Sequence, residues 1–184
     1  MQEKNLISII TPVFNAAGTL EDTFHSIAIQ KFSGYELIVL DGGSTDGSVD
    51  IIKKYESIIS HWRSHKDKGH IFAMNEGIQK AQSKYIYILN GDDFLADENV
   101  LSDIVYILTT NPELDVVAGA VKILYPKPAY SYKKMVPLTR ENLRRDRQSP
   151  HQGAFIRKQV YADLGYFDTS WRGAMDFEFF CKIA

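Results

Sequence analysis

Cysteine is nearly missing from this chain of 184 residues: Cys181 stands alone, which excludes an internal disulfide and a multi-cysteine zinc site. Long apolar runs are missing too. The stretch 6–13 follows a polar start, Met1-Gln2-Glu3-Lys4-Asn5, and is too short and too interrupted for a signal peptide or a membrane-spanning helix. A cytoplasmic protein is therefore expected. An excess of either charge is also absent, because 21 Lys and Arg stand against 23 Asp and Glu for a formal net charge of -2. Without a positive field there is no drive for counterion release, and no nucleic-acid partner is expected. Arg140, Arg144, Arg145 and Arg147 make one local basic run. It reads either as a solvated helix face or as a contact for phosphates or anionic lipid headgroups, which would allow peripheral association with the inner face of a membrane.

What is present describes a soluble globular domain, with 45% hydrophobic and 24% charged residues. A chain of this size buries roughly 70% of the surface that its unfolded form exposes, enough for one core. Up to residue 125, short β-branched runs alternate with helical patterns, the signature of βαβ units around a mostly parallel sheet. The strands are expected at 6–13, 36–40, 58–63, 85–89 and 116–124. Three of them (6–13, 36–40 and 85–89) are continuous apolar runs, as strands covered on both faces should be.

Between the strands, Leu20, Phe24 and Ile27, then Met74, Ile78 and Ala81, then Leu101, Ile104, Val105 and Leu108 recur at helical spacing and predict core-facing helices. Thr45-Asp46 and Asp97 offer N-cap oxygens for the helices after the second and fourth strands. After Tyr125 the alternation fails. Pro126, Pro128 and Pro137 bracket a stretch rich in Tyr and Lys, and Thr139-Arg140-Glu141-Asn142 opens a short helix. No repeat or linker divides the chain, so one domain is expected, with 1–125 and 126–184 as its two halves.

Ligands of open parallel sheets bind beyond the carboxyl ends of the strands. The segments expected there are Thr11-Pro12-Val13-Phe14-Asn15, Asp41-Gly42-Gly43-Ser44-Thr45-Asp46-Gly47, Asp67-Lys68-Gly69 and Asn90-Gly91-Asp92-Asp93. Acidic loops gathered at one edge repel one another unless a cation or hydrogen-bond donors lie among them. Adjacent carboxylates with few other ligands suit Mg²⁺ or Mn²⁺, which complete their shells with water and substrate phosphates. Taken alone, Asn90-Gly91-Asp92-Asp93 also fits a tight turn, and the loop after Asp41 a turn with a cap.

In combination these segments resemble family 2 of the inverting glycosyltransferases, which have the GT-A fold, and the resemblance runs over nearly the whole chain. It implies an α/β, Rossmann-like, mostly parallel central sheet flanked by helices, with a nucleotide-sugar-binding half followed by a partial acceptor and catalytic half. Thr11, Pro12, Asn15, Asp41, Asp67 and Asp92 would bind the nucleotide, with Asp41 accepting from the base. Asp93 would ligate Mn²⁺ or Mg²⁺ bridging the two phosphates. His151-Gln152-Gly153-Ala154-Phe155-Ile156-Arg157 is similar to the family's acceptor-side strand, and Met175-Asp176-Phe177-Glu178 to the acidic pair that opens its catalytic helix. Asp176 would then be the general base, with His151, Gln152 and Met175 on the acceptor or donor-sugar side.

Each of the later residues also has a structural reading: Asp168 a turn, His151 a hydrogen-bonded ring beside Pro150, Asp176 a helix cap. The sequence departs from the family pattern in two places. His70-Ile71-Phe72 replaces a tyrosine and an aspartate after Asp67-Lys68-Gly69, and Met175 replaces the acidic partner of the base. The chain stops at Ala184 inside the helix that Asp176 opens, and a C-terminal part found in relatives is expected to be missing.

The resemblance implies transfer from a nucleoside-diphosphate sugar, UDP-linked by first choice, to a saccharide or lipid-linked acceptor in polysaccharide or cell-envelope synthesis. The alternatives are a non-catalytic nucleotide-sugar-binding module and a nucleotidyltransferase. A dinucleotide-dependent oxidoreductase is disfavoured because no Gly-x-Gly-x-x-Gly follows the first strand.

Overall fold

The computed structural model describes residues 5–124, 130–133, 138–145, 151–171 and 173–184. Tyr125, Pro126, Pro128, Pro137, Arg147 and Pro150 lie outside them. In chain order the elements are β1 (Ile7–Val13), α1 (Leu20–Ala28), β2 (Tyr35–Asp41), α2 (Ser48–Lys54), β3 (His61–Ser64), α3 (His70–Lys80), β4 (Tyr85–Ile88), α4 (Val100–Thr110), β5 (Val116–Ala118), β6 (Val121–Leu124), β7 (Tyr130–Lys133), α5 (Arg140–Arg145), β8 (Ala154–Arg157), α6 (Lys158–Leu164) and α7 (Met175–Ile183).

Six strands form one sheet in the order β3-β2-β1-β4-β8-β5, and β6 pairs with β7 apart from it. β3, β2, β1 and β4 run parallel, while β8 is antiparallel to both its neighbours. All seven residues of β1 are buried, which its place inside the sheet requires. Successive side chains point to opposite faces. Ile10 joins a cluster with Met74 and Ile78 of α3 and Phe179 and Phe180 of α7. Ile9 joins a second with Phe24 of α1, Ile52 of α2 and Leu101 and Leu108 of α4. Helices thus cover both faces, and burying an aromatic such as Phe24 or Phe179 contributes about 1.5–3 kcal/mol.

Two expected strands take another form. The third begins later than 58–63, because Glu56–Ile58 wind into a 3₁₀ turn and leave β3 as a short, partly exposed edge strand. The fifth divides after Gly119, whose N–H still donates to the Gly153 carbonyl at 2.9 Å, in register with the pairing of β5 and β8. Its first half stays in the main sheet as β5 and its second becomes β6.

The caps also differ. Gly47 and Asn99, rather than Asp46 and Asp97, occupy the N-cap positions of α2 and α4, with no side-chain cap bond. The two carboxylates act one and two positions earlier, Asp46 accepting from Ser48 N–H at 3.1 Å and Asp97 from Asn99 N–H at 2.8 Å. Thr139 does open α5, its Oγ1 accepting from Asn142 N–H at 3.2 Å. Among the described residues no helix is long and apolar enough to cross a membrane.

Candidate active site

The carboxyl ends of β1, β2 and β4 open onto a cleft of about 660 Å³. Pro12, Phe14 and Asn15 line it from the first strand, Asp67 and His70 from the loop before α3 and its first turn, Asn90 and Asp92 from the loop after β4, and His151 and Met175 from the far side. Thr11, Asp41, Asp93, Gln152 and Asp176 are not among the lining residues, although Asp93 follows the lining Asp92 and Asp176 the lining Met175.

The loops after β1 and β2 are stitched together by backbone donors. Asn15 takes a left-handed conformation, φ 49°, in which its N–H donates to Ser44 Oγ at 2.8 Å while its Oδ1 accepts from Thr45 N–H at 3.0 Å. Ala16 and Ala17 donate to Ser48 Oγ and Asp46 Oδ2, both at 2.9 Å. Asp41 is fully buried. Its Oδ2 accepts from Gly43 N–H, Ser44 N–H and Ser64 Oγ, and its Oδ1 from Ser44 Oγ. Asp41 therefore shapes the glycine loop from behind. Gly43 is needed there, since its φ is +88° and a Cβ would sit 2.9 Å from Lys66 N. The Thr11 hydroxyl is buried and finds no hydrogen-bond partner among the described residues.

Asn90 to Asp93 close a turn, with Asp93 N–H donating to the Asn90 carbonyl at 3.1 Å, and Thr19 Oγ1 ties that turn to α1 through the Gly91 carbonyl at 2.7 Å. Burial pushes the Asp93 carboxyl above the usual carboxylate range and Asp92 beside it adds to the shift, although Asn90, His151 and Gln152 oppose it. Asp176 behaves the opposite way. Burial raises it, but a hydrogen bond and charge from His151, with backbone donors including Phe177 N–H, outweigh that and hold it below the usual range.

A divalent cation fits this corner in one way. No group of three His, Cys, Asp or Glu gathers among the described residues, so a closed protein cage is not built. Asp92 and Asp93 form an open donor pair, and the partly buried charge of Asp93 gains from a cation whose shell is completed by water and phosphate oxygens.

Several site residues escape a reading by motif. Phe14 is 67% exposed at the lip of the cleft, and its signal was an aromatic ring directly after a strand end. Arg63 has only its place on the third strand, ahead of an acidic loop, to reveal it. Asp168 is a turn residue, accepting from Ser170 N–H at 2.8 Å.

A mostly parallel sheet between helix layers, with its polar loops gathered over β1, β2 and β4, is the GT-A architecture of glycosyltransferases. Staphylococcus aureus TarS, residues 1–349 in complex with UDP-GlcNAc, superposes with a TM-score of 0.79 at 20% identity, over 96% of this chain and 52% of that one. The mannosyltransferase PcManGT of Pyrobaculum calidifontis, in complex with GDP-Man and Mn²⁺, gives 0.72 at 19% over 94% and 50%. The chain belongs to glycosyl transferase family 2, whose model matches residues 8–175. TuaG of Bacillus subtilis, a glycosyltransferase named for teichuronic acid biosynthesis, is 39% identical over 95 residues, 49% of this chain and 37% of TuaG. The chain thus spans about half the length of the two solved chains and 37% of TuaG.

Proposed function

We propose that this domain transfers a sugar from a nucleoside-diphosphate donor, UDP-linked by first choice, to a hydroxyl of a saccharide or lipid-linked acceptor. Inversion at the anomeric carbon and a role in cell-envelope polysaccharide assembly are parts of the same reading. One observation carries it: a single cleft is lined by Asp92, next to Asp93, on one side and by Met175, next to Asp176, on the other. The bound ligands of TarS and PcManGT support a nucleotide-sugar donor, and the name of TuaG supports an envelope glycan.

Phe14 offers an exposed ring for the base to stack on, and Asn15 fixes the loop beneath the ribose. Asp93 beside Asp92 would hold Mn²⁺ or Mg²⁺, which would supply charge stabilisation for the departing diphosphate. Asp176 takes the proton of the acceptor hydroxyl as its oxygen attacks the anomeric carbon from the face opposite the nucleotide. The bond from that carbon to the phosphate oxygen breaks, and its electron pair leaves with the nucleoside diphosphate. A positioned base of this kind contributes about 10²- to 10⁴-fold. We assign the reaction to the cytoplasm or the inner face of a membrane, where nucleotide sugars would be supplied.

The test begins with thermal shift against UDP and GDP sugars, with and without Mn²⁺, because a ligand that binds only the folded state stabilises it by mass action. Asp176→Asn then retains that stabilisation and loses transfer by about 10²-fold or more. Equal transfer by this variant removes Asp176 from the base role. Met175, in place of an acidic partner, favours a second reading, a nucleotide-sugar-binding module without turnover. Donor binding with no nucleotide release would select it, and pyrophosphate release from a nucleoside triphosphate would instead mark a nucleotidyltransferase.

A further inference from the structure

His151 is only 9% exposed and lies between the two acidic corners of the cleft. Its Nδ1 is 3.3 Å from Asp176 Oδ2, and its Nε2 is 3.4 Å from Asn90 Nδ2. The same Asn90 nitrogen is 3.0 Å from Asp93 Oδ2. The four side chains form one row, from the carboxylate beside the nucleotide loops to the carboxylate at the start of α7. Both contacts to the ring lie slightly beyond the usual hydrogen-bond range.

Elementary donor counting orients the row. A carboxylate only accepts, so Asp93 turns the NH₂ of Asn90, rather than its carbonyl, toward itself. That NH₂ carries two protons, and its lone pair is delocalised into the amide, so it can only donate to the His151 nitrogen 3.4 Å away. The facing ring nitrogen, Nε2, must therefore accept, which puts the single proton of a neutral imidazole on Nδ1. From there it is donated to Asp176. The other Asp176 oxygen, Oδ1, accepts from Phe177 N–H at 2.8 Å, so the carboxylate is held at both oxygens.

We infer that His151 is a positioning residue for Asp176, presenting Nδ1–H to its Oδ2, and that Asn90, itself oriented by Asp93, sets the tautomer in which it does so. His151 acts in this role through Asp176 rather than by touching the sugar. The orientation of the base is thereby tied, through one amide and one ring, to the residue proposed to hold the cation. The kinetic consequence rests on the reading of Asp176 as base, whereas the tautomer does not.

The tautomer is read directly from long-range proton–nitrogen spectra of the chain labelled at its 5 histidines, with the His151 signals identified by their loss in His151→Asn. The expected pattern is Nδ1–H, converting to Nε2–H or to an average of the two in Asn90→Ala. Any other state of His151 in the unsubstituted chain overturns the inference.

The second arm measures Mn²⁺-dependent nucleotide release from UDP-GlcNAc and GDP-mannose. His151→Ala lowers kcat about 10- to 100-fold, the usual cost of losing such a partner, with donor KM within about two-fold. His151→Asn places an N–H where Nδ1 was and recovers most of the loss, while His151→Gln, which extends toward Asn90, does not. Unchanged kcat in the alanine variant, or equal loss in the alanine and asparagine variants at equal melting temperature, overturns the positioning role. Full activity of Asp176→Asn alongside an Nδ1–H ring overturns instead the assignment of the base.

Discussion

Arg63 grips Asp67 with both ends of its guanidinium, Nη1 and Nη2 each lying 3.2 Å from Oδ2. The same group donates to Glu76 on α3 at 2.6 Å and to the Asp41 carbonyl at 2.5 Å. One side chain on the edge strand thus fixes the loop that forms a wall of the cleft. Asp67 enters the site already paired, its Oδ1 accepting from Gly69 N–H at 2.8 Å. Arg63→Met should destabilise by about 1.5–3 kcal/mol, the worth of hydrogen bonds to charged groups. Thermal denaturation measures this, and weaker UDP binding should accompany it.

Asp93 should respond to neutralisation in the opposite sense. Burial raises its folded carboxyl above the unfolded value. A raised carboxyl contributes stability below the unfolded pKa and loses it as pH rises through the folded one, so at neutral pH the ionised group weakens the fold. Asp93→Asn is expected to melt higher than the unsubstituted chain without metal, and to lose the extra stabilisation that Mn²⁺ and UDP give together. Calorimetry at pH 7 with and without the two ligands checks both halves.

With the cation held as proposed, proton and metal would compete at that carboxylate, which predicts the acid limb of activity. As pH falls, the raised Asp93 protonates before Asp176, whose carboxyl is held low. Loss of rate should then follow Asp93, and higher Mn²⁺ should move the limb to lower pH. A limb that ignores the Mn²⁺ concentration would assign it to another group.

Gly77 marks where α3 lies against β1. A Cβ there would collide with Ile10 Cγ2, on a side chain that is fully buried. Gly77→Ala should cost about 1–3 kcal/mol through overpacking. Gly18→Ala, whose Cβ would meet nothing within 4 Å, is the control for the change in residue type. Their melting temperatures should separate clearly.

Some of this architecture is legible in the residues alone. The spacing of Leu20, Phe24 and Ile27 reveals the face of α1, because a helix buries a stripe whose period is written in the sequence. Asp92 and Asp176 are likewise reached through segments that resemble the family. The break after Gly119 is not legible, since 116–124 has strand propensity throughout and what divides it is a change of partner, from β8 for the first half to β7 for the second. Asp41 is similar: its position at a strand end suggests a ligand contact, yet four donors from its own loop and from Ser64 turn it inward. Asn90 reads as a turn former, and only the arrival of His151 from 61 residues away gives its amide a second partner.

The insertion of β8 between β4 and β5 bears on how the molecule comes into being. Residues 154–157 pair on one side with 85–87 and on the other with 116–118. A ribosome releases both partners well before the strand that must slot between them, so the pairing closes long loops and is entropically late. The loops over β1 and β2 can order first. His151, just ahead of that strand, and Asp176 after it join later, so a nascent chain would complete the half of the cleft proposed to hold nucleotide before the half proposed to react it.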